Sequence, residues 1–191
     1  MDQTNSRATK IMIIRHAEKP NTGAKGVTSK EELDKESLIV RGWQRAGALA
    51  AFFVPANGQF QNPGIATPRF VYASKVAKNS KSQRPQETVK PMIHKLQKLG
   101  NAVQENYDHP KGEEQIVGAD ALTCHGVVLI CWEHTHIPAI ASQILPISAE
   151  PPDTWPNDRF DVVWIFDLNS TTGKYTFSQV PQLLLAGDGL I

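Results

Sequence analysis

Two histidines sit where an apolar run stops: His16 follows Ile11–Ile14 with Arg15 between, and His134 follows Val127–Cys131 with Trp132 and Glu133 between. Neutral imidazole is a competent nucleophile near pH 7, and the protonated ring stabilises developing negative charge. A guanidinium stays charged and offers a planar fork that grips two oxygens of one anion. Arg15 adjoins His16, and Arg84, in Arg84-Pro85-Gln86-Glu87-Thr88, is a second such group. Taken singly, each residue is ordinary. A histidine after a strand is usually a satisfied polar residue, and an arginine before Pro85 reads as the opening of a helix. Their chemistry depends on the elements that position them.

Ile11–Ile14, Phe70–Ala73 and Val127–Cys131 are unbroken apolar runs of the kind that fill strands buried on both faces. Trp43, Ala46, Ala50 and Phe53 recur at helical spacing and predict a helix over 41–53. Val89, Ile93 and Leu96 predict another beginning near Pro85, where a proline suits the first turn. A weak strand near 102–104, a helix near 113–122 and an apolar helix from Pro138 through Leu145 complete the alternation. Segments 161–168 and 175–180, joined by the turn-rich 169–173, form a hairpin at the sheet edge. This order implies an α/β fold, a three-layer α/β/α sandwich with a mostly parallel sheet. In such sheets ligands lie beyond the carboxyl ends of strands. Both strand-terminal histidines fall there, although they are separated by more than a hundred positions.

The chain of 191 residues is long enough for one domain with a real core, expected to span 1–191 with residues 1–9 as a flexible leading segment. Apolar residues make up 40% and charged residues 20%, a globular composition. The net charge of +1 gives no general attraction for nucleic acid. Ile11–Ile14 is too short for a signal peptide or a membrane span, and Cys124 and Cys131 lack the spacing of a structural zinc site. A reduced, cytoplasmic protein is therefore expected, with no nucleic-acid or membrane partner. Nothing in the sequence fixes an oligomeric state.

The segment Ile13-Ile14-Arg15-His16-Ala17-Glu18 resembles the RHG signature of the histidine phosphatase superfamily, also called phosphoglycerate mutase-like, with alanine in place of glycine. Arg84 with Thr88, and the late strand ending in His134, follow in that family's order, and Arg41-Gly42 resembles the start of its first helix. The resemblance implies that His16 attacks phosphorus and forms a phosphohistidine, that Arg15 and Arg84 clamp the phosphate oxygens, and that His134 adds charge to them. It implies no metal and no cofactor. The ligand would be a small phosphorylated substrate or a phosphoprotein.

The leaving oxygen also needs a proton. Members of the family place a carboxylate after the third strand, which makes Glu105 the preferred acid, with Asp108, Glu113 and Glu114 nearby. Glu133 competes, although continued strand alternation would point it away from the pocket. Glu18 reads as an orienting residue, and Ser74 as a strand-end position shared with relatives. The absence of long insertions favours a phosphatase over a phosphomutase, which must seal its site from water. Three alternatives stand beside that reading: a phospho-ligand-binding module without a working acid, a mutase, and a zinc hydrolase built on His16, Glu133, His134 and His136. Lys75, Lys78 and Lys81 read as a solvated loop that could also guide an anion. The stretch carrying them is long for the family.

Overall fold

The fold is built on four consecutive residues, Ile11, Met12, Ile13 and Ile14, that are all fully buried. A strand can bury every side chain only if both faces of its sheet are covered. The computed structural model, which describes residues 7–145 and 153–191, shows how. Its elements run β1 (Ala8–Arg15), α1 (Val40–Phe53), β2 (Phe70–Ala73), α2 (Arg84–Lys98), β3 (Gln104–Asn106), α3 (Glu114–Thr123), β4 (Gly126–Trp132), α4 (Ile137–Ile144), β5 (Val162–Asn169) and β6 (Lys174–Pro181). The six strands form one sheet in the order β3-β2-β4-β1-β5-β6. The first four of these are parallel, and β5 and β6 complete the sheet in antiparallel fashion.

Strand alternation sends Met12 and Ile14 to one side, where they pack with Phe53, Val89 and Ile93 of α1 and α2. Ile11 and Ile13 face the other side and meet Val117, Ile137 and Ile140 of α3 and α4. The result is the expected three-layer sandwich. No helix among the described residues is long and apolar enough to cross a membrane.

Two expectations shift. Ala8 and Thr9 of the anticipated flexible segment belong to β1, and residues 1–6 lie outside the described residues. The weak strand falls at Gln104–Asn106 rather than 102–104. Gly100, at φ +74°, and Asn101, whose amide bonds Leu96 O, close α2, so Ala102 and Val103 are needed to return the chain to the sheet edge.

The site depends on how strand ends are aligned. In the β1–β4 ladder Arg15 pairs with Trp132, and in the β2–β4 ladder Ala73 pairs with Cys131, so three strands finish together. Helix α1 then lies on the chain just past β1. A Cβ at Gly42 would stand 2.6 Å from the Glu18 carbonyl oxygen. Gly42→Ala should therefore cost about 1–3 kcal/mol of stability by overpacking. Urea unfolding checks this, and an unchanged midpoint would mean that α1 does not press on Glu18.

Candidate active site

Because β1 and β4 end in register, the residues that follow them meet. The His16 amide donates to Trp132 O at 2.9 Å. The Ala17 amide donates to Thr88 Oγ1 at 2.9 Å, and that hydroxyl donates to Arg84 O at 2.7 Å. Thr88 thus ties the turn carrying His16 to the first turn of α2, where Arg84 sits. Arg15, Arg84 and Glu133 all lie close enough to act on the charge of His16, and Arg15 and Glu133 do the same for His134. The structure brings Arg15, His16, Arg84, Glu133 and His134 together at one edge of the sheet.

His16 is almost fully buried, and its Nδ1 lies 2.7 Å from Ala17 O. A carbonyl oxygen can only accept, so Nδ1 carries the proton and Nε2 keeps its lone pair. Burial is the main force lowering the imidazole to about 3; Arg15 and Arg84 push the same way, while the Ala17 bond and Glu133 oppose it. The ring is neutral at pH 7. A neutral ring with a free Nε2 is the state a nucleophile needs.

Arg15 is 1% exposed and stacks on Phe160, with its guanidinium carbon 3.7 Å from the ring centroid. Its Nη1 donates to Asn157 O at 2.6 Å and Arg159 O at 3.2 Å. Burial lowers it to about 10, which leaves it charged at neutral pH. Arg84 donates through Nη2 to Lys35 O at 3.1 Å and faces Glu36 at 3.5 Å. His134 Nε2 meets Asn157 Oδ1 at 2.9 Å, while its Nδ1 lies 2.6 Å from Glu133 Oε1 but off the line of a ring N–H bond. Burial and Arg15 lower the His134 imidazole. Among the described residues Arg15 Nε and Arg84 Nε are buried without a hydrogen-bond partner, and His134 Nδ1 has only its charge contact with Glu133. Ser74 and Ser82, which flank the loop between β2 and α2, have unpartnered buried hydroxyls as well.

Glu105 is not brought to this cluster. It sits on the exposed edge strand β3, accepts from Gln97 Nε2 at 3.2 Å and lines a separate cleft of about 340 Å³ with Trp43 and His94. Glu133 is there instead, because β4 stops at Trp132 and strand alternation no longer governs the next side chain. Burial alone would raise its carboxyl, but the Thr135 hydroxyl bond, Lys111 and His134 hold it below the usual range. Glu18 orients rather than reacts: Arg45 grips it at 2.9–3.2 Å, and Arg45 in turn holds Asp188 at 2.7 and 3.0 Å. The four zinc candidates, His16, Glu133, His134 and His136, lie near one another, but among the described residues no three metal-ligating side chains are arranged to hold one ion. Lys75, Lys78 and Lys81 are exposed.

Asn157 and Phe160 touch the site but are not singled out by sequence reasoning. A signal was present. A hairpin strand antiparallel to β1 must place the segment before its own start beside the end of β1, and Ile14 indeed pairs with Val163. A cleft of about 540 Å³ opens beside Arg15, walled by Lys19, Arg41, Asn157 and Phe160.

The architecture matches known structures across nearly the whole chain. The protein histidine phosphatase SixA solved with tungstate superposes with a TM-score of 0.52 at 15% identity, covering 91% of this chain and 97% of that one. A candidate alpha-ribazole-5'-P phosphatase from Escherichia coli gives a TM-score of 0.52 at 12% identity, covering 94% and 100%. The chain has the histidine phosphatase fold. A candidate phosphohistidine phosphatase SixA from Agrobacterium tumefaciens is similar too, with a TM-score of 0.50, 12% identity and coverage of 89% and 95%. No protein-family model matches the sequence, and no curated protein matches it significantly.

Two outcomes follow from this geometry. Phosphate or vanadate should bind the unpartnered donors of the native state and raise the melting temperature, by about 2.7 kcal/mol of stability at a hundredfold excess over Kd. Arg84→Ala should abolish the rise, as differential scanning fluorimetry can show. The second concerns acid. The unfolded chain protonates His16 near its ordinary value of 6.5 while the folded chain resists down to about 3, so stability falls as pH drops through that window. Relative to His16→Asn, the wild type should lose about 1–2 kcal/mol between pH 7 and 5, read from urea unfolding at each pH.

Proposed function

We propose that this protein is a metal-independent phosphatase in which His16 takes the phosphoryl group from a phosphomonoester or phosphohistidine substrate and water then removes it. The observation that carries this reading is the pair of unpartnered buried Nε donors on Arg15 and Arg84 beside a neutral His16. A buried donor left unpaired costs about 1–3 kcal/mol. A site that keeps such donors is matched to a ligand rich in acceptor oxygens, and a phosphoryl group presents three. The tungstate held by SixA, a protein of the same fold, is a tetrahedral oxyanion of that type.

In the reaction His16 Nε2 attacks phosphorus in line with the leaving oxygen. Nδ1–H stays on the Ala17 carbonyl, which fixes the ring and spreads the positive charge that forms on it. Arg15 and Arg84 neutralise the equatorial oxygens before and during attack. Glu133 serves as the acid for the leaving oxygen and as the base for water in the second step. Its surroundings favour the ionised form; an arriving phosphate dianion raises its proton affinity by charge repulsion.

Brief incubation with a labelled small phosphodonor, then quenching, should trap an acid-labile, base-stable phosphoprotein. His16→Ala should trap none. If the wild type traps nothing while phosphate still raises its melting temperature, the chain is a phospho-ligand-binding module and the enzymatic reading fails.

A further inference from the structure

Behind Glu133, on the side away from His134 Nδ1, lies a second imidazole that the reaction described above does not use. His136 Nε2 stands 3.6 Å from Glu133 Oε2. On the opposite side of the same ring, His136 Nδ1 stands 2.9 Å from Glu114 Oε1. Glu114 is 5% exposed and held from three directions, because its carboxylate also accepts from Trp132 Nε1 at 3.0 Å and from the Gly112 amide at 3.0 and 3.1 Å. The side chain of His136 is 38% exposed, so its ring reaches solvent.

The order is therefore a buried anchored carboxylate, an imidazole open to water, and a carboxylate facing the phosphoryl pocket. The Glu114 carboxylate holds the Nδ1 side of the ring by charge contact at 2.9 Å, which leaves the Nε2 side toward Glu133. The other charged groups around this line are Lys111, 4.0 Å from Glu133 Oε2, and His134, whose Nδ1 faces Glu133 Oε1. Glu133 must be protonated when the leaving oxygen departs, yet the Thr135 hydroxyl, Lys111 and His134 around it favour its ionised form. Something adjacent has to hold the proton until it is needed.

We propose that His136 and Glu114 are positioning residues that act through Glu133, His136 holding at Nε2 the proton that Glu133 delivers to the leaving oxygen and Glu114 fixing the ring for that transfer. The inference rests on Glu133 as acid in the reaction above. In the first step the bond between phosphorus and His16 Nε2 forms, the ester P–O bond breaks, and its electron pair goes to the leaving oxygen. That oxygen takes the proton of Glu133, which takes the proton of His136. In the second step the oxygen of water bonds to phosphorus, and the P–N electron pair returns to His16. The proton released by water goes to Glu133 and back to His136. The sum is ester plus water giving alcohol plus phosphate. The 3.6 Å gap must close for transfer, and catalytic hydrogen bonds are commonly long before substrate arrives.

The test compares β-glycerophosphate, whose alkoxide leaves poorly, with p-nitrophenyl phosphate, whose phenolate needs no acid, using the full chain. Because Glu133 and His136 also take the proton of water in the second step, which both esters share, the readout is the first step alone: in rapid-quench single turnovers His136→Gln and His136→Ala should slow phosphoenzyme formation from β-glycerophosphate about tenfold and leave that from p-nitrophenyl phosphate within about twofold. Added imidazole should restore β-glycerophosphate turnover in His136→Ala, which a purely structural role would not allow. Glu114→Gln should show the same substrate-selective loss. Equal losses on both esters, no loss, or no rescue by imidazole would overturn the proposal. Glu133→Gln separates it from the reading beneath: if that variant slows only phosphoenzyme formation from β-glycerophosphate while the His136 variants slow neither, the acid stands and the proton store falls. If the wild type turns over neither ester, the phosphatase reading fails and takes this inference with it.

Discussion

The parallel pairing of β1 with β4 is the constraint on which everything else rests. Arg15 opposite Trp132 means that one more residue on β1 gives His16 and that one or two more on β4 give Glu133 and His134. A shift by one residue would exchange the faces of every side chain on the strand, sending Ile11 and Ile13 to the layer now filled by Met12 and Ile14. Those faces carry different partners, Val117 and Ile140 on one side and Phe53 and Val89 on the other. The apolar core thus locks a register whose consequence is polar. Packing in the interior decides which imidazole faces which guanidinium at the rim.

That rim works against stability. Burying Arg15, His16 and part of Arg84 strips them of water, and the Nε of each arginine receives no hydrogen bond in return. Each such atom costs about 1–3 kcal/mol, a real fraction of the 5–15 kcal/mol that holds a typical domain together. Compensation is local and partial. Phe160 lies against the guanidinium of Arg15, the carbonyls of Asn157 and Arg159 take its Nη1, and Thr88 bridges the His16 turn to α2. These contacts fix the cations in place without using up all their hydrogen-bonding capacity, which is what an oxyanion site requires.

The framework was readable in the sequence because its cause is local. Apolar runs that stop at charged residues marked β1 and β4, and the Val89, Ile93, Leu96 spacing marked α2. Edge strand β3 has no apolar pattern, and its placement two residues late follows from how α2 ends rather than from its own residues. Glu105 lies away from the cluster for a related reason: its position in the chain favours it, but edge strand β3 carries it to a separate cleft, while Glu133 reaches the cluster because β4 stops at Trp132 and alternation ends with it. Asn157 and Phe160 reach the site only through the antiparallel pairing of β5 with β1, a contact between residues about 140 positions apart, so no local pattern names them.

Residue type does not separate a structural cation from one that serves a ligand; partners do. Arg45 is as buried as Arg15, yet Glu18, Asp188 and Gln182 satisfy its guanidinium from several sides. Burial alone would lower Arg45, but its bonds to Asp188 and Glu18 outweigh that and raise it above the ordinary arginine range. Asp188 is burdened by burial too, yet Arg45 and the amides of Leu184 and Leu185 bring it down to about 2. Those groups form a closed set that joins α1 to the C-terminal segment and has no capacity left for an anion. Arg15 meets carbonyl oxygens and a ring face, which orient a guanidinium without cancelling its charge, while Arg84 meets the Lys35 carbonyl and one carboxylate, Glu36, at 3.5 Å. Placing the fully paired arginine beside Glu18 and the less fully paired ones beside His16 lets one end of the sheet serve both as a clasp for the chain and as a cradle for an oxyanion.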